Sequence, residues 1–356
     1  MYKKLFIPGP THVRDEILEA MATPMIGHRS KEYMDLQAEV IPKVQKLLYT
    51  ENRIFLSTSS STGLMEAAVR NCVAKKCLNT VCGAFSKRWH QITVANGKPA
   101  DKLEVDMGQA ITPEMVDEAL SSGEYDAITL VHNETSTGVM NPIYEIAEVV
   151  KKYPDVCFLV DAVSSMAGAK IEVDKLGIDV CLAGVQKCFA LPPGLAVASV
   201  SQKALDRAAQ VPNRGYYFDF LVFQKYLDER GQTPATPAIP QIIALNKQMD
   251  DILAEGLENR WRRHQEMAAF VQDWARKHFA LYSDERYLSP TVTNVKNTRG
   301  ISVAALNEEL GKRGAMISNG YGPLKEKCFR IAHMGDLTLD DLKWLTEQIE
   351  DILGLT

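Results

Sequence analysis

Apolar positions along this chain alternate between short continuous runs and longer stretches of helical spacing, and that alternation predicts a layered α/β fold. The continuous runs at 53–56, 80–82, 126–132, 156–160, 180–183 and 195–200 have the length and composition of strands buried on both faces. Helical composition or spacing falls among them, at 14–21, 64–69 and 142–152. Strand, helix and strand in repetition predict a mostly parallel, right-handed sheet with helices on both faces. The pattern changes after about residue 240. Two long helices, one from about 241 and one over 256–279, are followed by strand-like 291–295, a helix over 303–312, strands at 315–318 and 328–332 and a last helix over 339–353. A large domain over 16–255 and a small α+β domain over 256–356 are expected, with residues 1–15 as an N-terminal segment.

Polar residues stand where the runs stop. The run at 156–160 ends on Asp161, at the carboxyl end of a central strand, the edge where open α/β sheets bind their ligands. An acid there wants a cationic partner. The run at 180–183 stops at Gly184, and Lys187 follows between Val185 and the apolar Cys188, Phe189, Ala190 and Leu191. Desolvation lowers a lysine's pKa and turns an ammonium into an amine nucleophile, the state Schiff-base chemistry needs. A stem that packs while its head reaches water is the plainer alternative. A pyridoxal phosphate (PLP) enzyme needs both residues, a lysine to form the imine and an acid to keep the ring nitrogen protonated. Upstream, Ser57, Thr58, Ser59, Ser60, Ser61 and Thr62 form an unbroken run of hydroxyls before Gly63 and a helical stretch. Backbone N–H groups, the helix dipole and side-chain donors together suit a phosphate there, and an ordinary N-cap loop needs fewer hydroxyls. Arg330 interrupts the apolar run at 328–332 and requires an anion, for which a carboxylate is the bidentate match. An internal salt bridge would also supply one.

The segments Pro8-Gly9-Pro10-Thr11, His132-Asn133-Glu134-Thr135-Ser136-Thr137-Gly138, Asp161-Ala162-Val163-Ser164-Ser165 and Gln186-Lys187 through Pro192-Pro193-Gly194 occur in that order. Together they resemble the class V aminotransferases, specifically the alanine–glyoxylate and serine–pyruvate aminotransferase group of fold-type I PLP enzymes. The resemblance covers nearly the whole chain and implies a seven-stranded-type sheet. It implies PLP bound as a Schiff base to Lys187, with Asp161 on the ring nitrogen and Ser61, Thr62, Gly63 and Gln186 around the phosphate. It also implies that Thr135 bonds the phenolate oxygen and that Phe85 and Val163 sandwich the ring, with Trp89 the rival for the aromatic shelf. The family usually has glycine where this chain has Ser60 or Ser61, which leaves open which hydroxyl touches the phosphate. Gly9 is implied at the substrate pocket and Arg330 on the substrate's α-carboxylate. His132 and Glu134 read as structural supports. In similar enzymes a loop like Thr233 to Pro237 reaches the partner subunit's phosphate, so Thr233 and Thr236 imply a homodimer with shared active sites. Residues 25–30 resemble the interface segment.

Composition narrows the partners. In 356 residues, 46% hydrophobic and 24% charged is ordinary for a soluble globular protein. A net charge of -5 argues against a nucleic-acid or anionic-membrane surface. The densest basic cluster, Arg260-Trp261-Arg262-Arg263-His264, reads as the solvated side of a helix. The 7 cysteines form no Cys-x-x-Cys pair and fit a reducing compartment, and the 7 histidines show no metal-site spacing. The stretch from Met1 to Ile7 is too short for a signal peptide's apolar core, and no run approaches membrane-spanning length. A cytoplasmic enzyme without metal is expected.

The activity implied by the resemblance is ping-pong transfer of an amino group from serine or alanine to glyoxylate or pyruvate. Aspartate-type or phosphonate transamination, and a cysteine desulfurase or other PLP lyase, use the same scaffold. A desulfurase needs a mobile cysteine, whereas Cys328 falls in an apparent strand and Cys188 in an apolar run. PLP binding without catalysis is a third reading, weakened by the joint presence of Lys187, Asp161 and Arg330. No second arginine is assigned to a side-chain carboxylate.

Overall fold

The computed structural model of the chain describes residues 3–355; Met1 and Tyr2, part of the stretch read above for a signal peptide, and Thr356 lie outside the described residues. Seven strands form the main sheet in the order Arg53–Ser57, Ala196–Val200, Val180–Gly184, Cys157–Asp161, Ala127–Val131, Cys77–Val81 and Ala100–Glu104. Neighbours are parallel except around Ala196–Val200, which runs antiparallel to both strands beside it. This is the mostly parallel sheet that the alternating pattern predicts.

Successive side chains of a strand point to opposite faces. Phe158 and Val160 enter one apolar cluster with the Lys31–Leu48, Ile143–Val150 and Ile239–Glu255 helices. Cys157 and Leu159 enter another with the Ser61–Cys72, Gln202–Gln210 and Phe220–Arg230 helices. Apart from the partly exposed edge strand Ala100–Glu104, which the sequence pattern did not show, neither face meets water, which is why the other strands appear as unbroken apolar runs.

Register then brings three loops to one edge. Val131 is paired with Asp161, and Asp161 with Leu182. The chain leaves all three strands in the same direction, into Asn133 to Thr135, into Val163, and past Gly184 into Gln186 and Lys187.

A second sheet of five strands has the order Lys4–Phe6, Ala315–Asn319, Cys328–Ala332, Val292–Lys296 and Ala280–Leu281. It shares a core with the Leu257–His278, Val303–Lys312 and Leu339–Leu353 helices. Lys4–Phe6 pairs in parallel with residues 315–317, and Phe6 is fully buried in this core. The N-terminal segment is thus an edge strand of the smaller sheet before it crosses to the larger one. Gly256, at φ +85°, separates Ile239–Glu255 from Leu257–His278.

The basic cluster at 260–264 departs from expectation. Arg260 is only 1% exposed. Its guanidinium donates to the carbonyls of Ala167 and Cys188, both at 2.7 Å, and pairs with Glu255 at 2.9 Å. Only Arg262 keeps the solvated position expected of the whole cluster. Among the described residues, no helix is long and apolar enough to cross a membrane.

Candidate active site

A cavity of about 410 Å³ opens where the three loops converge, and Lys187 and Asp161 both line it. The Lys187 amine is buried, and its pKa falls to about 8 because burial penalises the ammonium and the Arg330 charge opposes it. The N-terminal crossing clamps this lysine. Its Nζ donates to the Pro8 carbonyl, and Thr11 donates through N–H to Gln186 O at 3.1 Å and through Oγ1 to Lys187 O at 3.0 Å. Gly9 lies between them at φ +100°, and a Cβ there would stand 2.5 Å from Lys187 Cδ and 2.7 Å from Nζ. Close approach and a left-handed backbone both demand glycine.

Asp161 is 3% exposed and accepts the Val163 N–H at 2.7 Å. Among the described residues no Lys, Arg or His pairs with it. Burial pushes its pKa up to about 7, aided by the charge of Glu134 and opposed by the Val163 N–H and by Lys187. An acid so placed gains from an incoming cation.

The Ser61–Cys72 helix starts at the cavity wall. Ser60 stands at its N-cap position without a side-chain capping bond, and Ser60, Ser61 and Thr62 all line the cavity. Gly63 does not. Its N–H donates to Ser60 O at 2.9 Å, and a Cβ there would lie 2.7 Å from the Phe218 ring, so tight packing is what requires this glycine.

Phe85 lines the cavity from the first turn of the Ala84–Ala95 helix. Trp89, one turn on, is fully buried and donates its indole N–H to Met65 O at 3.1 Å, which makes it core. Glu134, also fully buried, holds that first turn. Its carboxylate accepts the Ser86 N–H at 2.9 Å, the Phe85 N–H at 3.2 Å and the hydroxyls of Ser86 and Ser136 at 2.9 and 2.6 Å.

Thr135, Val163 and Gln186 complete the predicted residues in the cavity wall. The Thr135 hydroxyl lies 2.5 Å from that of Ser164. Arg330 adjoins the wall, donating to Thr135 O at 3.3 Å and Asn319 O at 3.2 Å, with its guanidinium 5.5 Å from the centre of the Tyr321 ring. No described carboxylate pairs with Arg330, which removes the internal salt bridge; burial lowers its pKa to about 10. Thr233 and Thr236 are not in this cavity. Together with Thr58, Tyr216 and Tyr217 they line a separate surface cleft, and Arg29 ties their loop to the 25–30 segment through the carbonyls of Thr233 and Pro234 at 2.7 and 3.0 Å.

Three polar lining residues escaped the sequence reading. Asn133 donates to Ser164 O at 2.9 Å and to Thr291 Oγ1 at 2.8 Å, which leaves its buried Oδ1 without a partner. Arg88 follows Phe85 by three positions on one helix face, a spacing that could have disclosed it. Tyr321, in the loop after Ala315–Asn319, accepts from Arg88 Nη2 at 3.2 Å.

The set fits PLP, because a buried amine, an acid lacking a cation and an uncapped helix start answer its aldehyde, its ring nitrogen and its phosphate. The family model for "Aminotransferase class-V" matches residues 10–333. An uncharacterised aminotransferase of Methanocaldococcus jannaschii is 43% identical over 341 residues, which cover 94% of this chain and 88% of that protein. The serine–glyoxylate aminotransferase of Methylorubrum extorquens is 32% identical, covering 94% of this chain and 86% of its own. The crystal structure of an alanine–glyoxylate aminotransferase from Nostoc sp. superposes with a TM-score of 0.93 at 26% identity, over 99% of this chain and 96% of that one. Matched in sequence from Pro10 to His333 and in fold along nearly its full length, this chain belongs to the PLP-dependent class V aminotransferases.

Proposed function

We propose that the enzyme moves an amino group from a small amino acid, serine or alanine, to a small 2-oxo acid, glyoxylate or pyruvate, in a ping-pong cycle. It works in the cytoplasm as a homodimer whose sites each draw on two chains. The observation that carries this reading is the buried amine of Lys187 beside the unpaired acid of Asp161, in one cavity at the carboxyl edge of the sheet.

PLP bound there supplies a carbonyl with which amines condense and a ring that takes up the electron pair left when Cα loses its proton. Lys187 Nζ would attach the cofactor and, when free, would take the proton from the substrate's Cα; in the cofactor-free chain its pKa is already lowered to about 8 by burial. The Pro8 carbonyl and Thr11 hold that amine and its loop in place. Asp161 would hold the proton on the ring nitrogen, with Phe85 and Val163 beside the ring. Thr135 would orient the ring's oxygen. Ser61, Thr62 and Gln186, with the partner subunit's Thr233 and Thr236, would hold the phosphate. Arg330, which pairs with no carboxylate among the described residues, orients the substrate's α-carboxylate, with Gly9 keeping the wall open beside Lys187.

A lyase using cysteine as nucleophile is poorly supported. Cys188 and Cys328 are buried, neither lines the cavity, and burial pushes their thiols up to about 12 and about 11.

The test is a half-reaction. Purified yellow enzyme mixed with serine or alanine alone should lose the absorbance of its lysine-bound cofactor and gain that of the amine form. Sulfide and alanine released from cysteine, with the yellow colour regenerated, would instead assign a desulfurase. Lys187→Ala should abolish both colour and turnover, and retention of both would overturn the reading.

A further inference from the structure

We propose that this site has a second anion-binding position, built on Arg88, and that it accepts amino acids whose side chain carries an anionic group as well as small neutral ones. The inference rests on the transaminase reading and names a substrate class for it.

Arg88 projects from the Ala84–Ala95 helix into the cavity that Lys187 lines. It is half-buried, its guanidinium lies 5.0 Å from the centre of the Phe85 ring, and its hydrogen bond is to the phenol oxygen of Tyr321 at 3.2 Å. Among the described residues no carboxylate pairs with it. Arg330 is in the same condition, bonded only to carbonyls. The two guanidiniums bracket Tyr321, one on its hydroxyl and the other 5.5 Å from its ring.

Charge makes the case sharper. Lys187 and Arg88 line the cavity, Arg330 adjoins its wall through Thr135, and both arginines depress the Lys187 amine. The acids facing them are Asp161, which the ring nitrogen occupies on the functional reading, and Glu134, whose oxygens are already taken up by Phe85, Ser86 and Ser136. The cofactor's phosphate has its own donors at the start of the Ser61–Cys72 helix. One substrate carboxylate satisfies one arginine. A neutral side chain leaves the other facing the cavity unpaired, whereas a side-chain carboxylate or phosphoryl group matches its planar fork.

The experiment is the half-reaction of the PLP-loaded enzyme with alanine, serine, aspartate, glutamate or phosphoserine in turn. It compares wild type, Arg88→Met and Arg88→Lys, reading the second-order rate constant for loss of the lysine-bound cofactor's absorbance. Wild type should convert with at least one anionic donor, and the carboxylate and phospho arms separate the two sources of charge. Arg88→Met should depress the anionic donors about a hundredfold more than it depresses alanine, with Arg88→Lys in between. An equal loss for every donor overturns the proposal, as does a wild type that reacts only with neutral donors. Loss of PLP from Arg88→Met on dialysis also overturns it, by assigning Arg88 to the cofactor's phosphate. Failure of the underlying reading looks different, because then no donor, neutral or anionic, converts the wild-type enzyme.

Discussion

Single residues at this site are held in protonation states that only a ligand relieves. Asp161 keeps its proton up to about pH 7 in the cofactor-free protein, whereas an exposed aspartate ionises near its ordinary 3.8. The folded state therefore binds a proton that the unfolded chain has released across that window. This contribution to stability is fully present below about pH 4 and is lost as pH rises through 7. Asparagine has no such proton. The apoprotein of Asp161→Asn should gain on the wild-type apoprotein by a few kcal/mol between pH 4 and 7. Urea unfolding of both apoproteins at pH 4, 5, 6 and 7 measures the difference, and parallel curves would mean that Asp161 is not held as an acid. Reloading wild type with PLP should remove the effect, because the ring nitrogen brings the missing positive charge. Lys187 carries the complementary strain: its pKa near 8 is depressed from 10.5, so the cost of burying its ammonium is relieved as pH rises from 8 towards 10.5.

At the level of elements, six strands of the main sheet were legible because they are buried on both faces and leave continuous apolar runs, among them those ending on Asp161 and just before Lys187, whereas the half-exposed edge strand Ala100–Glu104 left none. Helices whose partners are distant were not. Lys31–Leu48 has Tyr33, Val40, Val44 and Leu47 on its buried face, but Pro42 and its charged residues break the local pattern. Ala84–Ala95 was hidden because what starts it, the Glu134 carboxylate, comes from another strand's loop. Arg260 is the clearest case. A helix surface with three arginines looks solvated until the carbonyls of Ala167 and Cys188, far away in sequence, are brought against it. Cys188 is the residue after Lys187, so the first turns of Leu257–His278 brace the lysine's loop from below. Arg260→Met should leave both carbonyls unpaired in a dry interior at a cost of about 3 kcal/mol. A urea midpoint unchanged from wild type would show that water or a neighbour replaces the guanidinium. Lysine cannot reach both carbonyls with one ammonium, so Arg260→Lys should recover little.

For the whole molecule, the decisive feature is what a single chain leaves unused. Thr233 and Thr236 line a surface cleft beside Tyr216 and Tyr217, which are 63% and 46% exposed, and stay out of this chain's own cavity; the resemblance assigns them to the partner subunit's phosphate. Large exposed aromatics beside the exposed Thr236 are characteristic of a surface that meets another chain. If a two-fold dimer carries this loop into the partner subunit's cavity, Lys187 and the two threonines act on the same site from different chains, and defects in them should complement. Lys187→Ala and the double variant Thr233→Ala, Thr236→Ala would each be purified, unfolded together at equal concentration and refolded with PLP. Half the dimers formed would be mixed. In a mixed dimer one site inherits both defects, while the other pairs an intact Lys187 with intact threonines, so about a quarter of wild-type sites should return. The refolded mixture should then show a quarter of the wild-type activity plus a quarter of the double variant's own, in serine or alanine turnover and in yellow absorbance alike. If each site were built within one chain, the mixture would show only half the activity of the double variant, and Thr233 and Thr236 would lose their role at the phosphate.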